Sequence, residues 1–218
     1  MIGMKSIIHR KPEINDEIIL IASLPDMGKV GGLVSSYLAR ELNTKLVASI
    51  ESKEKPWVIY KDGVARLHTD IYNLYSDDKN AIMIFTGNTQ PQEGFEVFNL
   101  CKMLIELVKN FGNIRRIYTA GGYLKDKVID EPKVYGAVNN PRLLNILDRF
   151  DILTLGGEIS TITWFNGLIL GIANEYNIDA IGLFAEIDNP HIEQPRAAKS
   201  IIKILTRMIN DELHLKSI

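Results

Sequence analysis

The sequence lacks the features that mark secreted, membrane and nucleic-acid-binding proteins. Its 218 residues include one cysteine, Cys101, which excludes a disulfide within the chain and fits a reducing compartment. The net charge is only −2, from 25 basic and 27 acidic residues, so a polyanion or an anionic membrane surface meets no general attraction. The longest apolar stretches, Ile18–Leu24 and Leu168–Ala173, are far shorter than the roughly 20 residues of a membrane span. We therefore expect neither a nucleic-acid nor a membrane partner.

The start of the sequence has no continuous apolar segment of the kind found in a secretory signal. Lys5, His9, Arg10 and Lys11 interrupt it, so we expect a cytoplasmic protein. The composition, with 46% hydrophobic and 24% charged residues, is that of an ordinary globular protein. Length and the absence of a linker-like segment predict a single α/β domain over residues 1–218.

Short apolar runs alternate along the chain with stretches of helical periodicity. Strands are predicted at Glu17–Leu24, Lys45–Ile50, Ala81–Thr86, Arg116–Ala120, Val134–Val138 and Asp179–Ala185, and Ile152–Leu155 is predicted as a strand or a loop. Helices are predicted at Lys29–Leu42, Glu93–Phe111, Pro141–Leu147, Phe165–Tyr176 and Pro195–Leu213. This alternation predicts an α/β fold, in which a mainly parallel sheet is flanked by helices on both faces. The segment 57–68 differs, because Asp62-Gly63 between two β-prone runs predicts an inserted β-hairpin.

Glycine and polar residues follow several predicted strands, where a ligand crevice forms in open α/β sheets. A candidate pocket for a nucleotide or another anion gathers Gly28, Lys29, Gly31, Asn88, Gln90, Gly121 and Glu158. The glycines run G-x-x-G-G, which is neither the dinucleotide fingerprint nor a P-loop. The alternative is that they shape turns and allow close packing of the first helix.

The remaining candidates point away from catalysis. Gly167 and Gly171, at four-residue spacing, indicate close helix packing, and with Leu168 and Leu170 they form a candidate oligomer contact. One histidine among the carboxylates of residues 186–193 does not define a metal site, so no metal is predicted. Cys101 falls on the apolar stripe of a helix, which is typical of a packed thiol. We predict no catalytic residue and no cofactor, and a binding protein rather than an enzyme.

Four short segments are informative as a set. They are Pro25–Gly31, Gly121–Tyr123, Gly167–Gly171 and Leu183–Ala198. The first is similar to a P-G-x-G-x-V-G turn, and the last to an L-x-G-E-T…D-P-x-A-A ending. In order and spacing, over roughly Ile18 to Met208, they resemble the proteasome assembly chaperone family. The resemblance is to its archaeal and bacterial branch, homologues of the eukaryotic proteasome assembly chaperone subunit two.

This resemblance implies an α/β fold and a non-catalytic, homo-oligomeric role. Eukaryotic members of the family pair into heterodimers that organise the α-ring of the 20S proteasome, and archaeal relatives form homo-oligomers. The implied partners are the protein itself and proteasome α-subunits. Asp26 stands where the family often has glycine, and Ala185-Glu186-Ile187 replaces G-E-T. Some archaeal relatives dock with a C-terminal hydrophobic–tyrosine–any tail, but here Ser217 holds the tyrosine's position, which favours family membership over docking by a tail.

Two hypotheses of different class remain open. The first is an assembly chaperone-like scaffold that buries a self-complementary surface in an oligomer. The second is a small-molecule binding protein or enzyme that uses the pocket at the strand ends.

Overall fold

The computed structural model describes residues 3–53, 55, 57–128, 130–157 and 159–213. Within these ranges one large sheet contains nine strands. They are β1 (Lys5–Ile8), β2 (Ile18–Ala22), β3 (Lys45–Ser52), β6 (Asp70–Asp77), β7 (Ile82–Gly87), β8 (Ile114–Leu124), β9 (Val134–Val138), β10 (Leu153–Thr154) and β11 (Asp179–Ile187). A separate two-stranded hairpin consists of β4 (Val58–Lys61) and β5 (Val64–Leu67). The helices in these ranges are α1 (Val30–Glu41), α2 (Gly94–Lys109), α3 (Leu144–Arg149), α4 (Trp164–Glu175) and α5 (Pro195–Glu212).

The large sheet is parallel at its centre and antiparallel toward one side. Its order is β1-β3-β6-β7-β2-β8-β11-β9-β10. Strands β7, β2, β8 and β11 run parallel to one another, and β9 pairs antiparallel with β11 and parallel with β10. On the other side β7, β6, β3 and β1 pair antiparallel in turn. Four strands that end at one edge therefore lie side by side in the middle of the sheet.

Both faces of the sheet are covered, which explains the continuous apolar sequence of β2. Its alternate residues Ile18 and Leu20 pack on one face with residues of α2 and α4, whereas Ile19 and Ile21 pack on the other face with α1 and α5. All four are fully buried. Burying a side chain of this size contributes about 1.5–3 kcal/mol, so the central strand anchors both halves of the core.

The predicted α/β fold with helices on both faces is confirmed, and so is the hairpin near 57–68; the large sheet is mixed rather than mainly parallel, with four parallel and four antiparallel pairings among the described strands. Asp62 and Gly63 have φ values of 52° and 80°, the left-handed conformations that a tight two-residue turn requires. Strands β1 and β6 were not predicted, and they supply most of the antiparallel side of the sheet.

Two further features bear on earlier predictions. Cys101 is buried on α2, as predicted for a packed thiol, and burial raises the pKa of that thiol well above its ordinary value. Among the described residues, no helix combines the length and the apolar character that crossing a bilayer requires.

Candidate functional site

The loops that follow the central parallel strands gather at one edge of the sheet, called here the carboxyl edge. Strands β2, β7, β8 and β11 all end there. Strand β3 also ends there, because it is antiparallel to β6 and β6 is antiparallel to β7. The hairpin of β4 and β5, which follows β3, therefore projects from the same edge as the predicted pocket.

Asp26 organises the turn between β2 and α1. Its Oδ1 accepts the amide hydrogen of Gly31 at 2.8 Å, and its Oδ2 accepts that of Gly122 at 2.6 Å. The carboxylate thus joins the first turn of α1 to the end of β8. Burial raises the pKa of Asp26 to about 6, although the two amide hydrogen bonds act in the opposite direction.

The glycines around Asp26 are needed for close packing. A Cβ on Gly31 would lie 2.6 Å from the carbonyl oxygens of Leu24 and Ala120. A Cβ on Gly121 would lie 2.7 Å from Asp26 Oδ2 and 3.0 Å from the ring of Phe184. The distances of 2.6 Å and 2.7 Å are shorter than those that real Cβ atoms show. Close packing, the alternative to anion binding, therefore accounts for Gly31 and Gly121.

Lys29 lies at the surface rather than over the turn. Its Nζ pairs with Glu193 at 3.0 Å, and both side chains are more than half exposed. The preceding Gly28 donates its amide hydrogen to Pro190 at 2.8 Å and accepts one from Gln194 at 2.9 Å. The first turn before α1 is therefore tied to the loop that leads into α5.

Two side-chain amides connect neighbouring loops at this edge. Gln90 donates from Nε2 to the carbonyl oxygen of Pro25 at 2.5 Å, and its Oε1 accepts the amide hydrogen of Phe165 at 3.0 Å. Asn166 is buried and makes both backbone hydrogen bonds of Leu24, each at 2.9 Å. These amides fix the start of α4 against the end of β2.

A cavity of about 560 Å³ opens beside Asp26, between the turn after β2 and the start of α4. Most of its lining is apolar, with Tyr123, Ile162, Trp164 and Phe184 among the walls. Trp164 has a φ of 58°, which is rare for a bulky residue, and its side chain is half exposed. Such a volume is in the range of small-molecule sites.

The hairpin of β4 and β5, called here the arm, exposes nearly all of its apolar residues. Between 48% and 73% of the surface of each is accessible: Val58, Ile59, Tyr60, Val64 and Leu67. A strand that packs on a core would bury every second residue, but both faces of the arm are open.

The base of the arm is held by the buried carboxylate of Asp70. Lys55 Nζ lies 3.2 Å from it on the entering side, and His68 Nε2 lies 2.9 Å from it on the leaving side. Thr89, next to Gln90, donates its hydroxyl to Asp70 at 3.2 Å. Lys55 also lies 5.4 Å above the ring of Trp57. One carboxylate therefore links both ends of the arm to the loop that lines the cavity.

The structure brings some predicted site residues together and separates others. Gly28, Gly31, Gly121 and Gln90 meet around the turn after β2. Lys29 turns to Glu193, Asn88 is exposed, and Glu158 lies outside the described residues, as does the tail with Ser217. Ligand binding by these residues remains a prediction.

The predicted oligomer contact divides into buried and exposed positions. Gly167 is packed within the chain, where a Cβ would lie 2.4 Å from the carbonyl oxygen of Ile162. Leu170 is 7% exposed and belongs to the core. Leu168 is half-buried, and Gly171 is exposed with open space around it. Only these last two reach the surface, and their role in an oligomer remains a prediction.

The carboxylates of residues 186–193, at the end of β11 and after it, have partners of their own. Glu186 accepts hydrogen bonds from Tyr135 and from the amide of Lys133, and Glu193 pairs with Lys29. No three His, Cys, Asp or Glu side chains lie close enough to hold a metal ion within the ranges that the structure describes.

A family model named PAC2 matches residues 20–217, nearly the whole chain. The chain belongs to the PAC2 family. The resemblance predicted from the four segments is thereby confirmed.

Several known proteins and structures are similar to this chain over nearly its full length. Pyrococcus furiosus PbaB, described as an archaeal proteasome activator, is 27% identical with a TM-score of 0.80, over 98% of this chain and 94% of that one. Pyrococcus furiosus PbaA, an archaeal homologue of proteasome-assembly chaperone, is 20% identical with a TM-score of 0.75, over 97% and 90%. An uncharacterized Methanocaldococcus jannaschii protein, MJ1210, is 27% identical over 100% of this chain and 85% of its own length.

Several residues that shape the carboxyl edge were not predicted as site residues. Asp26 could have been identified, since an acidic residue just before a helix is a common partner for free amides. Asn166 gave no such signal, because its partner Leu24 lies 142 positions away in sequence. Asp70 gave none either, because its contacts come from Lys55 and Thr89 as well as from the nearby His68, and no local pattern joins these three. The apolar residues of the arm were predicted as a hairpin, but their exposure could not be read from the pattern.

Proposed function

We propose that this PAC2 chain is a non-catalytic, homo-oligomeric assembly factor that binds proteins through its carboxyl edge, with proteasome α-subunits as the candidate clients. The proposal is supported by the similarity to PbaB and PbaA, whose descriptions name proteasome activation and proteasome assembly. It is also supported by an edge whose polar groups are engaged in structural hydrogen bonds.

The observation that carries the proposal is the exposed arm. A two-stranded hairpin is marginal by itself in water, and this one has apolar residues open on both faces. Contiguous exposed apolar surface in a folded protein marks a contact with another macromolecule. Tyr60 on the arm and Trp57 just before it belong to the residue types that most often dominate binding energy.

The base of the arm supports the same function. The Asp70 contacts fix where the arm leaves the sheet, so less ordering is needed when a partner binds. The charges on the arm, Lys61, Asp62 and Arg66, lie at and near its tip and favour a partner with acidic groups around an apolar centre.

The experiment compares the wild type with the double variant Tyr60→Ser/Leu67→Ser. These side chains are 73% and 61% exposed, so their loss should change the fold little. The matched control is Leu153→Ser on β10, at the opposite side of the sheet, where the side chain is 63% exposed. Light scattering after size-exclusion chromatography reports self-association, and a pull-down with purified archaeal proteasome α-subunits reports client binding.

We expect the wild type and the Leu153→Ser control to form oligomers and to retain α-subunits, and the arm variant to lose at least one of these properties. A wild type that stays monomeric at micromolar concentration would reject the homo-oligomer. Failure to retain α-subunits would reject that client. Equal behaviour of the arm variant and the wild type would reject the arm as the contact.

The alternative of an anion- or nucleotide-binding protein or enzyme has less support from the geometry. The amide of Gly31 at the start of α1 is engaged by Asp26, and Lys29 pairs with Glu193. Thermal unfolding with a panel of phosphate and nucleotide ligands tests it. A ligand at 100 times its Kd should add about 2.7 kcal/mol of stability, whereas no shift with any member would reject this alternative.

A further inference from the structure

The cavity at the carboxyl edge has an uneven distribution of charge. Among the described residues, Asp26 is the single carboxylate in its lining, and no lysine, arginine or histidine is present there. An anion would therefore meet a like charge without a compensating cation. A neutral or positively charged ligand meets no such repulsion.

The carboxylate of Asp26 lines the cavity. Its oxygens accept amide hydrogens from Gly31 and from Gly122, and the Asn166 side chain also hydrogen-bonds to it. A protonated amine entering the cavity is attracted to this negative charge, and a charge-assisted hydrogen bond between the two is about twice as strong as a neutral one.

Aromatic rings supply a second feature that suits a cation. Trp164, Tyr123 and Phe184 contribute to the lining, and the face of an aromatic ring attracts a cation within about 6 Å. Lys125 Nζ already lies 4.5 Å from the centre of the Tyr123 ring, so the ring available to a ligand is that of Trp164. Trp164, the largest of the three, leaves half of its surface accessible.

The backbone at Trp164 indicates that its placement matters. A positive φ at a bulky residue costs free energy and persists where the surroundings impose it, most often at binding sites. Here the surroundings are Gln90, which accepts the amide hydrogen of Phe165, and Asn166, which pairs with Leu24. These bonds hold the indole at the mouth of the cavity beside Asp26.

We propose that this cavity binds a small organic cation, with its protonated amine on the Asp26 carboxylate and its apolar body between Trp164 and the aliphatic wall that includes Ile162. The volume of about 560 Å³ accommodates a ligand of drug-like size. No residue of the arm lines the cavity, so this proposal can be tested separately from the proposed protein-binding function.

The test uses Trp164 as its own reporter. The chain has two tryptophans, so Trp57→Phe leaves Trp164 as the single indole. In this background, phenethylamine, 2-phenylethanol and 3-phenylpropionate are titrated at pH 7.5 as cationic, neutral and anionic probes of similar size. We expect saturable quenching or a spectral shift with phenethylamine, and binding at least tenfold weaker with 3-phenylpropionate.

Variants assign the charge preference. Asp26→Asn should reduce the preference for phenethylamine over 2-phenylethanol at least fivefold, while Asp62→Asn at the tip of the arm should leave it unchanged. Because Asp26→Asn alters two backbone hydrogen bonds, Trp164→Gly is a second variant that relieves the positive φ and removes the indole. Calorimetric titration of that variant should show at least fivefold weaker phenethylamine binding.

Three outcomes would overturn the proposal. They are equal affinity for the amine and the carboxylate, no saturable binding of phenethylamine to the wild type, and an unchanged amine preference in a folded Asp26→Asn variant. Arm variants such as Tyr60→Ser should bind phenethylamine normally, which separates this result from that of the proposed function.

Discussion

Gly31 donates its amide hydrogen to Asp26 Oδ1 at 2.8 Å, so a carboxylate of the chain itself occupies the position at the head of α1 that a bound anion takes in phosphate-binding folds. The same carboxylate accepts from Gly122 at the end of β8. The glycine-rich turn is therefore bound by a carboxylate of the chain itself. The segment predicted as an anion site is a structural junction between α1 and β8, and it places an acidic group beside a cavity.

The first prediction concerns the pH dependence of stability at this junction. Burial raises the pKa of Asp26 from 3.8 to about 6 in the folded protein. Between these two pH values the folded protein keeps the carboxyl protonated, whereas the unfolded chain has released the proton. The contribution of this proton to the free energy of unfolding is fully present below about pH 4 and is lost as the pH rises through 6. Asp26→Asn lacks this titration.

The measurement is urea unfolding of the wild type and Asp26→Asn at pH 4.5 and pH 8. The free energy of unfolding of the variant, relative to the wild type, should fall as the pH is lowered through 6, because only the wild type gains a proton. Taking the difference removes the effect of all other titrating groups. A difference that is the same at both pH values would contradict the raised pKa.

The second prediction compares two glycines in helices. Gly31→Ala places a Cβ 2.6 Å from two backbone carbonyl oxygens, which cannot move without shifting β2 or β8. We expect it to lower the free energy of unfolding by about 1–3 kcal/mol. Gly171→Ala meets no atom within 4 Å, so it should raise the stability of α4 by about 0.5–1 kcal/mol.

Chemical unfolding at low protein concentration measures both variants, and the pair controls for the change of residue type. A stable Gly31→Ala protein would show that the turn can open, contrary to the packing described. The same Gly171→Ala protein tests the predicted oligomer contact. If Gly171 packs closely against a second copy, alanine should weaken self-association even though it stabilises the monomer.

The central part of the fold was predictable because its residues follow rules of local pattern. The continuous apolar run of β2 is the pattern of a strand that is buried on both faces. The apolar stripe of α2 has the spacing of a helix that is buried on one face. The Asp62-Gly63 turn carried its own conformational signal. Strand β1 gave none, because a four-residue, mostly exposed edge strand needs no apolar alternation.

Strand β6 and the candidate site could not be predicted from local sequence pattern. Asp70 and Ser76 occupy inward positions of β6, so its buried face does not alternate as apolar and polar. Asp70 is buried there because the Lys55 ammonium pairs with it and His68 contacts it across the base of the arm, a tertiary reason. Asp26 with Gly122, and Asn166 with Leu24, are likewise pairings between distant segments that no spacing rule specifies.

The third prediction concerns the opposite edge of the sheet, where α5 ends. Tyr118 donates its hydroxyl to Glu212 Oε2 at 2.7 Å, and Arg116 lies 3.1 Å from the same oxygen. Both Tyr118 and Glu212 are buried, so Tyr118→Phe leaves a buried carboxylate with one donor fewer. We expect a loss of about 1–3 kcal/mol in the free energy of unfolding.

Tyr60→Phe is the matched control, because Tyr60 is 73% exposed on the arm and the same hydroxyl deletion should change stability by less than about 0.5 kcal/mol. Thermal or urea unfolding distinguishes the two. Equal stabilities of the two variants would show that the hydroxyl of Tyr118 contributes nothing to holding α5 on β8.

The last prediction concerns Asp70, which should control the order of the arm more than the stability of the core. Asp70→Asn removes the charge that pairs with Lys55 and His68, and Lys55 is then left as a cation with 7% of its side chain exposed. Removing one partner of a buried ion pair costs about 3–5 kcal/mol, but here the arm can release that strain by detaching at its base. Amide hydrogen exchange should therefore quicken across β4 and β5 while β2 and β8 keep their protection. Asp62→Asn, at the tip, should leave exchange at the base unchanged. If the arm is the protein-binding element, Asp70→Asn should also weaken oligomer formation or client binding without altering any contact side chain, and unchanged exchange in the arm would show that its position does not depend on this carboxylate.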